Sequence, residues 1–370
     1  MNPVEFATLP CGQGHSVGLA TLNSEKTLNA LTLPMIRALD AQLIAWEQDP
    51  SIVCVVLCGA GDKAFCAGGD VRALRAALVE DPRPAPHPVA QTFFSEEYTL
   101  DYRIHCYRKP LIVWGGGIVM GGGLGLMAGA SHRVLTGASR IAMPEITIGL
   151  YPDVGGSWFL SRMPARIGLY LALTGAPLNA ADALLLNLGD HILAPGAFEA
   201  MLDRLCDWHW PADPREHATS VSQLLGSMED HTALDSPVKR HFDTIRRLMN
   251  QGSLTDVVHA IECAAFDDPW LARAREGILH GCPTTAALSW EIERRTAHQS
   301  LADVLRMELT LSVNICARTD FIEGVRALLV DKDRQPKWSR GWGELDHAWI
   351  DSHFDSPWPE GAHPLAGLGI

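Results

Sequence analysis

The sequence predicts an α/β fold, because strand-like and helix-like segments alternate through the first half of the chain. Residues 16–22 are a predicted strand, and residues 33–47 are a predicted helix with apolar side chains on one face. Residues 52–58 form a continuous apolar run rich in valine, which is typical of a strand buried on both faces. Such alternation predicts a predominantly parallel or spiralling sheet covered by helices.

The next elements follow the same pattern. Residues 59–69 are a predicted loop, and a helix is expected to start near Asp70. Residues 81–88 alternate proline with other residues, so we expect an exposed, semi-rigid loop there. The later predictions are a helix at 93–108, strands at 111–114, 133–136 and 141–143, a glycine-rich turn with a helix at 120–130, and helices at 158–161, 166–174 and 179–186.

After about residue 195 the strand candidates almost disappear. Residues 197–310 show helical periodicity, with breaks at 211–216 and 281–283. We therefore predict an α/β core at residues 1–195 and a helical C-terminal region at residues 196–370 that packs on this core.

Composition limits the classes of function. The formal net charge of −13 disfavours non-specific binding to nucleic acid or to anionic membranes. The nine cysteines have no metal-site spacing and often lie in apolar runs, so we expect reduced thiols and no metal site. The N-terminal residues lack targeting features, which predicts a cytoplasmic protein. Residues 111–130 carry no charge, but their eight glycines favour a strand, turn and buried helix over a membrane span.

Two glycine-bearing turns each follow a predicted strand and precede a predicted helix, at residues 63–70 and 120–125. Unpaired N–H groups at such turns can bind a developing negative oxygen, so two of them brought together can form an oxyanion hole. The alternative is tight strand-to-helix packing without a ligand. A nucleotide site is less favoured, because neither turn has the spacing of a phosphate-binding loop.

Two carboxylates follow, Glu145 in Met-Pro-Glu and Asp153 in Tyr-Pro-Asp-Val-Gly-Gly. Gly149 and Pro152 prevent one helix from presenting both on a common face, which places them on a loop. Paired carboxylates near one substrate push their pKa values apart and give one ionised group and one poised acid. The alternatives are a helix N-cap for Asp153 and an exposed loop position for Glu145.

Four segments together resemble the enoyl-CoA hydratase/isomerase (crotonase) superfamily. They are residues 63–70, 120–125, 143–156 and 320–327, in the order that the family has them. The resemblance implies a crotonase-type spiral of ββα units with a helical C-terminal region. It also implies that two peptide N–H groups, by position those of Ala67 and Gly122, stabilise the thioester oxygen.

Differences from ordinary hydratases narrow the expected activity. At the second glycine turn, hydratases have a pattern similar to Gly-Gly-Gly-Cys-Glu-Leu, whose glutamate is catalytic. This chain has Gly125 in place of that glutamate, whereas Glu145 matches the second catalytic glutamate of hydratases. The segments 93–98, 143–156, 283–285 and 331–338 instead resemble 3-hydroxyisobutyryl-CoA hydrolases. This resemblance implies that Glu97, Gly122, Glu145 and Asp153 contact the substrate, and that Glu145 and Asp153 are catalytic.

The resemblance predicts hydrolysis of a short β-hydroxyacyl-CoA, with coenzyme A entering as part of the substrate and no separate cofactor. Lys26 and Lys332 are candidate contacts for its phosphates. An enoyl-CoA hydratase or isomerase using Glu145 alone is the first alternative, and a non-catalytic acyl-CoA-binding protein is the second. Homo-oligomers are compatible with the sequence.

Overall fold

The computed structural model describes residues 2–370, and strands occur only in the first part of this range. The strands are β1 Val4–Pro10, β2 Ser16–Leu22, β3 Ile52–Gly59, β4 Ala64–Cys66, β5 Leu111–Gly115, β6 Ile118–Met120, β7 His132–Thr136, β8 Arg140–Ala142 and β9 His191–Leu193.

Helices connect these strands and make up the regular structure after Leu193 in the described chain. The helices are α1 Leu33–Gln48, α2 Val71–Glu80, α3 Pro88–His105, α4 Gly122–Ala128, α5 Gly156–Leu160, α6 Ile167–Thr174, α7 Ala180–Leu185, α8 Phe198–Asp207, α9 His217–Gly226, α10 Pro237–Met249, α11 Leu254–Cys263, α12 Pro269–His280, α13 Pro283–Thr296, α14 Leu301–Cys316, α15 Thr319–Val325 and α16 His347–Asp351. Short 3-10 turns occur at Gly12–Gly14, Glu25–Thr27, Glu145–Ile148, Pro164–Arg166, Pro214–Glu216 and Trp342–Glu344, and Arg326–Val330 is π-helical.

The strands form two sheets in the described residues. The larger sheet has the order β1-β2-β3-β5-β7-β9, in which β1 is antiparallel to β2 and the other neighbours are parallel. The smaller sheet has the order β4-β6-β8. The apolar run of β3 lies between β2 and β5 and is buried along its length up to Gly59, as expected for a strand covered on both faces.

The chain divides into two compact units, and each is assembled from separate segments. Unit 1 comprises residues 1–69, 100–141 and 178–239, and unit 2 comprises residues 70–99, 142–177 and 240–370. These units do not follow the predicted boundary at residues 195 and 196. The physical reason is that early helices pack on late ones within unit 2, since α2 contacts α15 and α6 contacts α12 and α13.

Unit 1 is built on an apolar core between its larger sheet and two helices. Val56, Ile112 and Val134 of the sheet pack with Met201 of α8 and Leu224 of α9, all fully buried. Each such side chain contributes about 1.5–3 kcal/mol when removed from water. This core fixes β3, β5 and β7 in the larger sheet.

Unit 2 is organised around α6, whose residues are all buried. A Cβ built on Gly277 of α12 would lie 2.0 Å from the carbonyl oxygen of Thr174, so α12 touches the end of α6 backbone to backbone. Arg166, just before α6, pairs with Glu293 of α13 at 2.5 Å. These contacts hold the segment 142–177, which carries the predicted carboxylates, among the C-terminal helices.

The uncharged run at 111–130 folds as β5, β6 and the short helix α4. Within residues 2–370 we find no helix that combines the length and the apolar character needed to cross a bilayer. Among the described residues, none of the nine cysteines forms a disulfide. Those in β3, Cys54 and Cys58, are buried, and burial raises the pKa of each thiol.

Candidate active site

The two glycine turns lie side by side in unit 1. Parallel pairing of β4 with β6 aligns Ala64 with Ile118, so the turns that follow these strands leave the sheet together. A Cβ built on Gly68 would lie 3.3 Å from the carbonyl oxygen of Met120 and 3.8 Å from the nitrogen of Gly122. A Cβ on Gly123 would lie 2.3 Å from the carbonyl oxygen of Cys66. Glycine is therefore required for this close approach.

One of the two predicted donors is corrected by the backbone geometry. The N–H of Ala67 donates to the carbonyl oxygen of Leu28 at 3.0 Å, so Ala67 is not available to bind a substrate oxygen. Within residues 2–370, the N–H groups of Gly68, Gly69 and Gly122 have no such backbone acceptor. Gly122 is the first residue of α4, where a helix leaves its N–H unpaired. Gly122 thus retains its predicted role as a candidate, while the first turn offers the N–H groups after Ala67.

Glu145 is the first residue of the 3-10 turn Glu145–Ile148 and is 5% exposed. Its Oε2 is buried without a hydrogen-bond partner among the described residues. The pKa of Glu145 is raised well above its usual value, first by burial and then by the charges of Asp153 and Glu97. The alternative of an exposed loop position is therefore wrong, and the buried surroundings of Glu145 favour its protonated form.

Asp153 is 4% exposed, and its Oδ2 accepts a 2.7 Å hydrogen bond from the hydroxyl of Tyr98. Burial raises the pKa of Asp153 to about 6, and the Tyr98 hydrogen bond opposes this rise. Val154 beside it has φ of 53°, an unusual conformation for a β-branched residue. Asp153 is thus the carboxyl of this cluster that ionises most readily.

Glu97 lies on α3 and is 2% exposed, so its side chain does not belong to a solvated helix face. Its Oε1 is buried without a hydrogen-bond partner in the described chain. Burial, followed by the charge of Asp153, raises the pKa of Glu97 well above its usual value. The three predicted carboxyls therefore lie in unit 2 and interact electrostatically.

Glu308 of α14 is a fourth buried carboxyl of this cluster, and the sequence did not predict it. Its Oε2 accepts the N–H of Gly155 at 2.8 Å, and its Oε1 accepts the N–H of Ser157 at 3.0 Å. Burial, then the charge of Asp153, raises the pKa of Glu308 to about 8. Glu308 thus caps α5, a role that sequence reasoning assigned to Asp153 as an alternative. The available signal was an acidic residue among apolar residues of a predicted helix.

The arrangement combines acids of different strength within one buried cluster. Asp153 has a hydroxyl donor that stabilises its ionised form, whereas Glu97 and Glu145 each have a buried oxygen without a partner. Such an environment separates one ionised carboxylate from neutral acids, which suits proton transfer to and from a bound substrate. The predicted phosphate contacts, Lys26 in unit 1 and Lys332 in unit 2, both have exposed side chains. Their role stays a prediction.

Comparisons with known proteins agree with this description. The sequence profile of the enoyl-CoA hydratase/isomerase family matches residues 17–354. A mitochondrial 3-hydroxyisobutyryl-CoA hydrolase of Danio rerio is 38% identical over 92% of this chain and 87% of its own length. 3-hydroxyisobutyryl-CoA hydrolase 1 of Arabidopsis thaliana is 35% identical over 92% of this chain and 89% of its own. The crystal structure of a carnitinyl-CoA dehydratase from Mycobacterium thermoresistibile matches with a TM-score of 0.85, at 33% identity over 98% of both chains.

The fold and the buried carboxyls define an enzyme of the crotonase-fold class, as the sequence predicted. The chain belongs to the enoyl-CoA hydratase/isomerase family.

Proposed function

We propose that this protein hydrolyses a short β-hydroxyacyl-CoA, 3-hydroxyisobutyryl-CoA of valine breakdown above all, to the free hydroxy acid and coenzyme A. The observation that carries the proposal is the burial of Glu97, Glu145 and Asp153 in one coupled cluster. The similarity to named 3-hydroxyisobutyryl-CoA hydrolases supports the choice of substrate.

The mechanism divides into binding of the oxygen and activation of water. The N–H of Gly122 and an N–H of Gly68 or Gly69 bind the thioester oxygen, a contribution typically worth about 3–4 kcal/mol of barrier per donor. Glu145 either attacks the thioester carbonyl and expels the coenzyme A thiolate, giving an anhydride that water then hydrolyses, or removes a proton from the attacking water. Asp153 orients the water or holds its proton, and Glu97 hydrogen-bonds the substrate hydroxyl.

The protonation states set a requirement for this mechanism. A nucleophile or general base must be ionised, but burial favours protonated Glu145 in the ligand-free protein. We therefore propose that Glu145 loses its proton in the complex, where substrate groups and a bound water hydrogen-bond its oxygens. Glu97 with its proton both donates to and accepts from the substrate hydroxyl.

The proposal needs no metal ion and no bound organic cofactor, because coenzyme A arrives with the substrate. We propose the cytoplasm as the compartment, although the relative from Danio rerio is named mitochondrial. Cell fractionation with an antibody to this chain tests the compartment. Size-exclusion chromatography with light scattering tests whether the chain forms homo-oligomers.

Enoyl-CoA hydration or isomerisation is the second candidate function, favoured by the likeness to a solved carnitinyl-CoA dehydratase. Gly125 in α4 argues against this second function, because glycine supplies no acid at the position where hydratases carry a catalytic glutamate. Incubation with crotonyl-CoA separates the two functions. A fast loss of the enoyl absorbance without thiol release would establish the hydratase instead.

The deciding experiment follows thiol release from 3-hydroxyisobutyryl-CoA with a chromogenic disulfide reagent. We expect rapid release by the wild type and a fall of about 10²–10⁴-fold in Glu145→Gln, the range for a lost acid–base or nucleophilic group. A substrate-free blank corrects for the nine cysteines. Binding of the CoA ester without release, by folded protein, would show the non-catalytic alternative.

Labelled water distinguishes the two roles of Glu145. In a single turnover in oxygen-18 water, the anhydride route places the label in the Glu145 carboxyl. The general-base route places it in the product acid alone.

A further inference from the structure

Three buried hydroxyls link Asp153 to the backbone of α14. The Tyr98 hydroxyl lies 2.7 Å from Asp153 Oδ2 and 2.7 Å from Ser312 Oγ. Ser312 Oγ lies 3.0 Å from the Tyr151 hydroxyl, which donates to the carbonyl oxygen of Glu308 at 2.7 Å. We call Tyr98, Ser312 and Tyr151 the hydroxyl chain. All three residues are buried.

The number of hydrogen bonds in this chain depends on whether Asp153 carries a proton. The chain has four contacts and three hydroxyl protons. When Asp153 is ionised, its carboxylate and the Glu308 carbonyl can only accept hydrogen bonds, so Tyr98 donates to Asp153 and Tyr151 donates to the carbonyl. The single proton of Ser312 can then make a hydrogen bond to Tyr98 or to Tyr151, but not to both. When Asp153 is protonated, it donates to Tyr98, Tyr98 to Ser312, Ser312 to Tyr151, and Tyr151 to the carbonyl. All four contacts are then hydrogen bonds.

We infer that the hydroxyl chain positions Asp153 and lets this carboxyl gain or lose a proton by reversing the directions of the Tyr98 and Ser312 hydroxyls. The hydroxyl chain does not carry the proton away from Asp153, because the chain ends at the Glu308 carbonyl, which can only accept a hydrogen bond. Tyr98 and Ser312 are therefore positioning residues. The inference rests on the proposed function, in which Asp153 orients the water or holds its proton.

The surroundings of Asp153 supply no second donor of this kind. The titratable groups that interact with it are Glu97 and Tyr98 of α3, Glu145, Tyr151, and Glu308 and Cys316 of α14. Each is an acid, and only Tyr98 donates a side-chain hydrogen bond to Asp153 among the described residues. The Tyr98 hydroxyl is thus the group whose removal changes the proton affinity of Asp153 most directly.

Two substitutions in the hydroxyl chain shift the titration of Asp153 in opposite directions. Tyr98→Phe removes the donor to the ionised form, so the pKa of Asp153 rises by about one pH unit or more. Ser312→Ala leaves Tyr98 with an acceptor when Asp153 is ionised but without one when Asp153 is protonated. It therefore disfavours the protonated form, and the pKa falls by about half a unit.

The test is a pH titration of the ¹³C-labelled Asp153 side-chain carboxyl by NMR, assigned with Asp153→Asn. We expect a wild-type midpoint near 6, a higher one in Tyr98→Phe and a lower one in Ser312→Ala. Tyr170→Phe is the matched control, since Tyr170 is a buried tyrosine of unit 2 outside the hydroxyl chain, and its midpoint should equal that of the wild type. Circular dichroism and thermal melting establish that each variant is folded.

Shifts of Tyr98→Phe and Ser312→Ala in the same direction would overturn the inference, as would unchanged midpoints. If Tyr98→Phe does not fold, the downward shift in Ser312→Ala decides the question alone. The pH profile of kcat/KM for thiol release gives a second readout, in which the limb assigned to Asp153 moves with the NMR midpoint. The NMR titration needs no turnover, so it separates failure of this inference from failure of the proposed hydrolase activity.

Discussion

Glu308 accepts the backbone N–H of Gly155 at 2.8 Å, and this bond joins α14 to the loop that carries Asp153. The second oxygen of Glu308 accepts the N–H of Ser157, so one buried carboxyl satisfies two N–H groups that begin α5. A residue far along the chain therefore shapes the backbone next to a catalytic candidate. Its removal should affect both stability and activity.

We predict that Glu308→Gln lowers the free energy of unfolding by about 2 kcal/mol. The amide has one acceptor oxygen instead of two, and its NH₂ group then faces a backbone N–H that needs an acceptor. Urea unfolding measures the change. Glu80→Gln at the exposed end of α2 is the control and should shift it by less than about 0.5 kcal/mol. Equal effects of the two substitutions would contradict the capping role of Glu308.

Glu145→Gln should stabilise the ligand-free protein, and increasingly so as the pH rises above the usual glutamate pKa of 4.5. The folded pKa of Glu145 is raised above its usual value of 4.5. Between these two values the folded chain holds a proton that the unfolded chain releases, so the wild type loses up to about 1.4 kcal/mol of stability per pH unit. Glutamine has no proton to lose. Urea unfolding of both proteins at four pH values measures the difference, and a constant difference would show that Glu145 ionises normally.

Gly123→Ala should separate the two glycine turns and lower kcat for thiol release by about 10²-fold, the effect of losing one oxyanion donor. The added Cβ would lie 2.3 Å from the carbonyl oxygen of Cys66, so the backbone must move. We also expect a loss of about 1–3 kcal/mol of stability from overpacking. Gly196→Ala is the control, because a Cβ there meets no atom within 4 Å. Wild-type kcat in folded Gly123→Ala would argue against an oxyanion hole at these turns.

Glu97→Gln should lower kcat/KM for a hydroxylated substrate far less than Glu97→Leu does. Glutamine keeps a donor and an acceptor at a position where burial raises the pKa of the native carboxyl and favours its protonated form, whereas leucine leaves the substrate hydroxyl unpaired. We expect a loss below about 10-fold for glutamine and above about 10²-fold for leucine. With isobutyryl-CoA, which lacks the hydroxyl, Glu97→Leu should lower kcat/KM less than it does with the hydroxylated substrate. An equal cost with both substrates would remove Glu97 from hydroxyl recognition.

The sequence predicted those elements whose pattern is set by deep burial. The valine-rich run of β3 and the one-sided helix α1 were found almost to the residue. β1 was missed, because it is an edge strand with most of its side chains exposed. β4 and β9 were missed because three-residue strands carry no measurable periodicity.

The site was predictable only where local chemistry marked it. Glu97, Glu145 and Asp153 came from motifs, and all three are buried in one cluster. The use of Ala67 as a donor was wrong, because its N–H bonds to the carbonyl oxygen of Leu28, which is distant in sequence and which residues 63–70 do not reveal. Glu308 and Ser312 were missed because their partners are distant in sequence, and a helix pattern does not show which neighbour will receive a polar side chain.

Unit 2 is assembled from three separate segments of the chain, so it cannot fold completely until the last segment has been synthesised. Residues 70–99 leave the ribosome long before the helices that bury them, and Tyr98 must wait for Ser312, 214 residues later. Contacts of such high sequence separation form late and slowly. The buried surroundings of the carboxyl cluster can therefore form only after α14 has been synthesised.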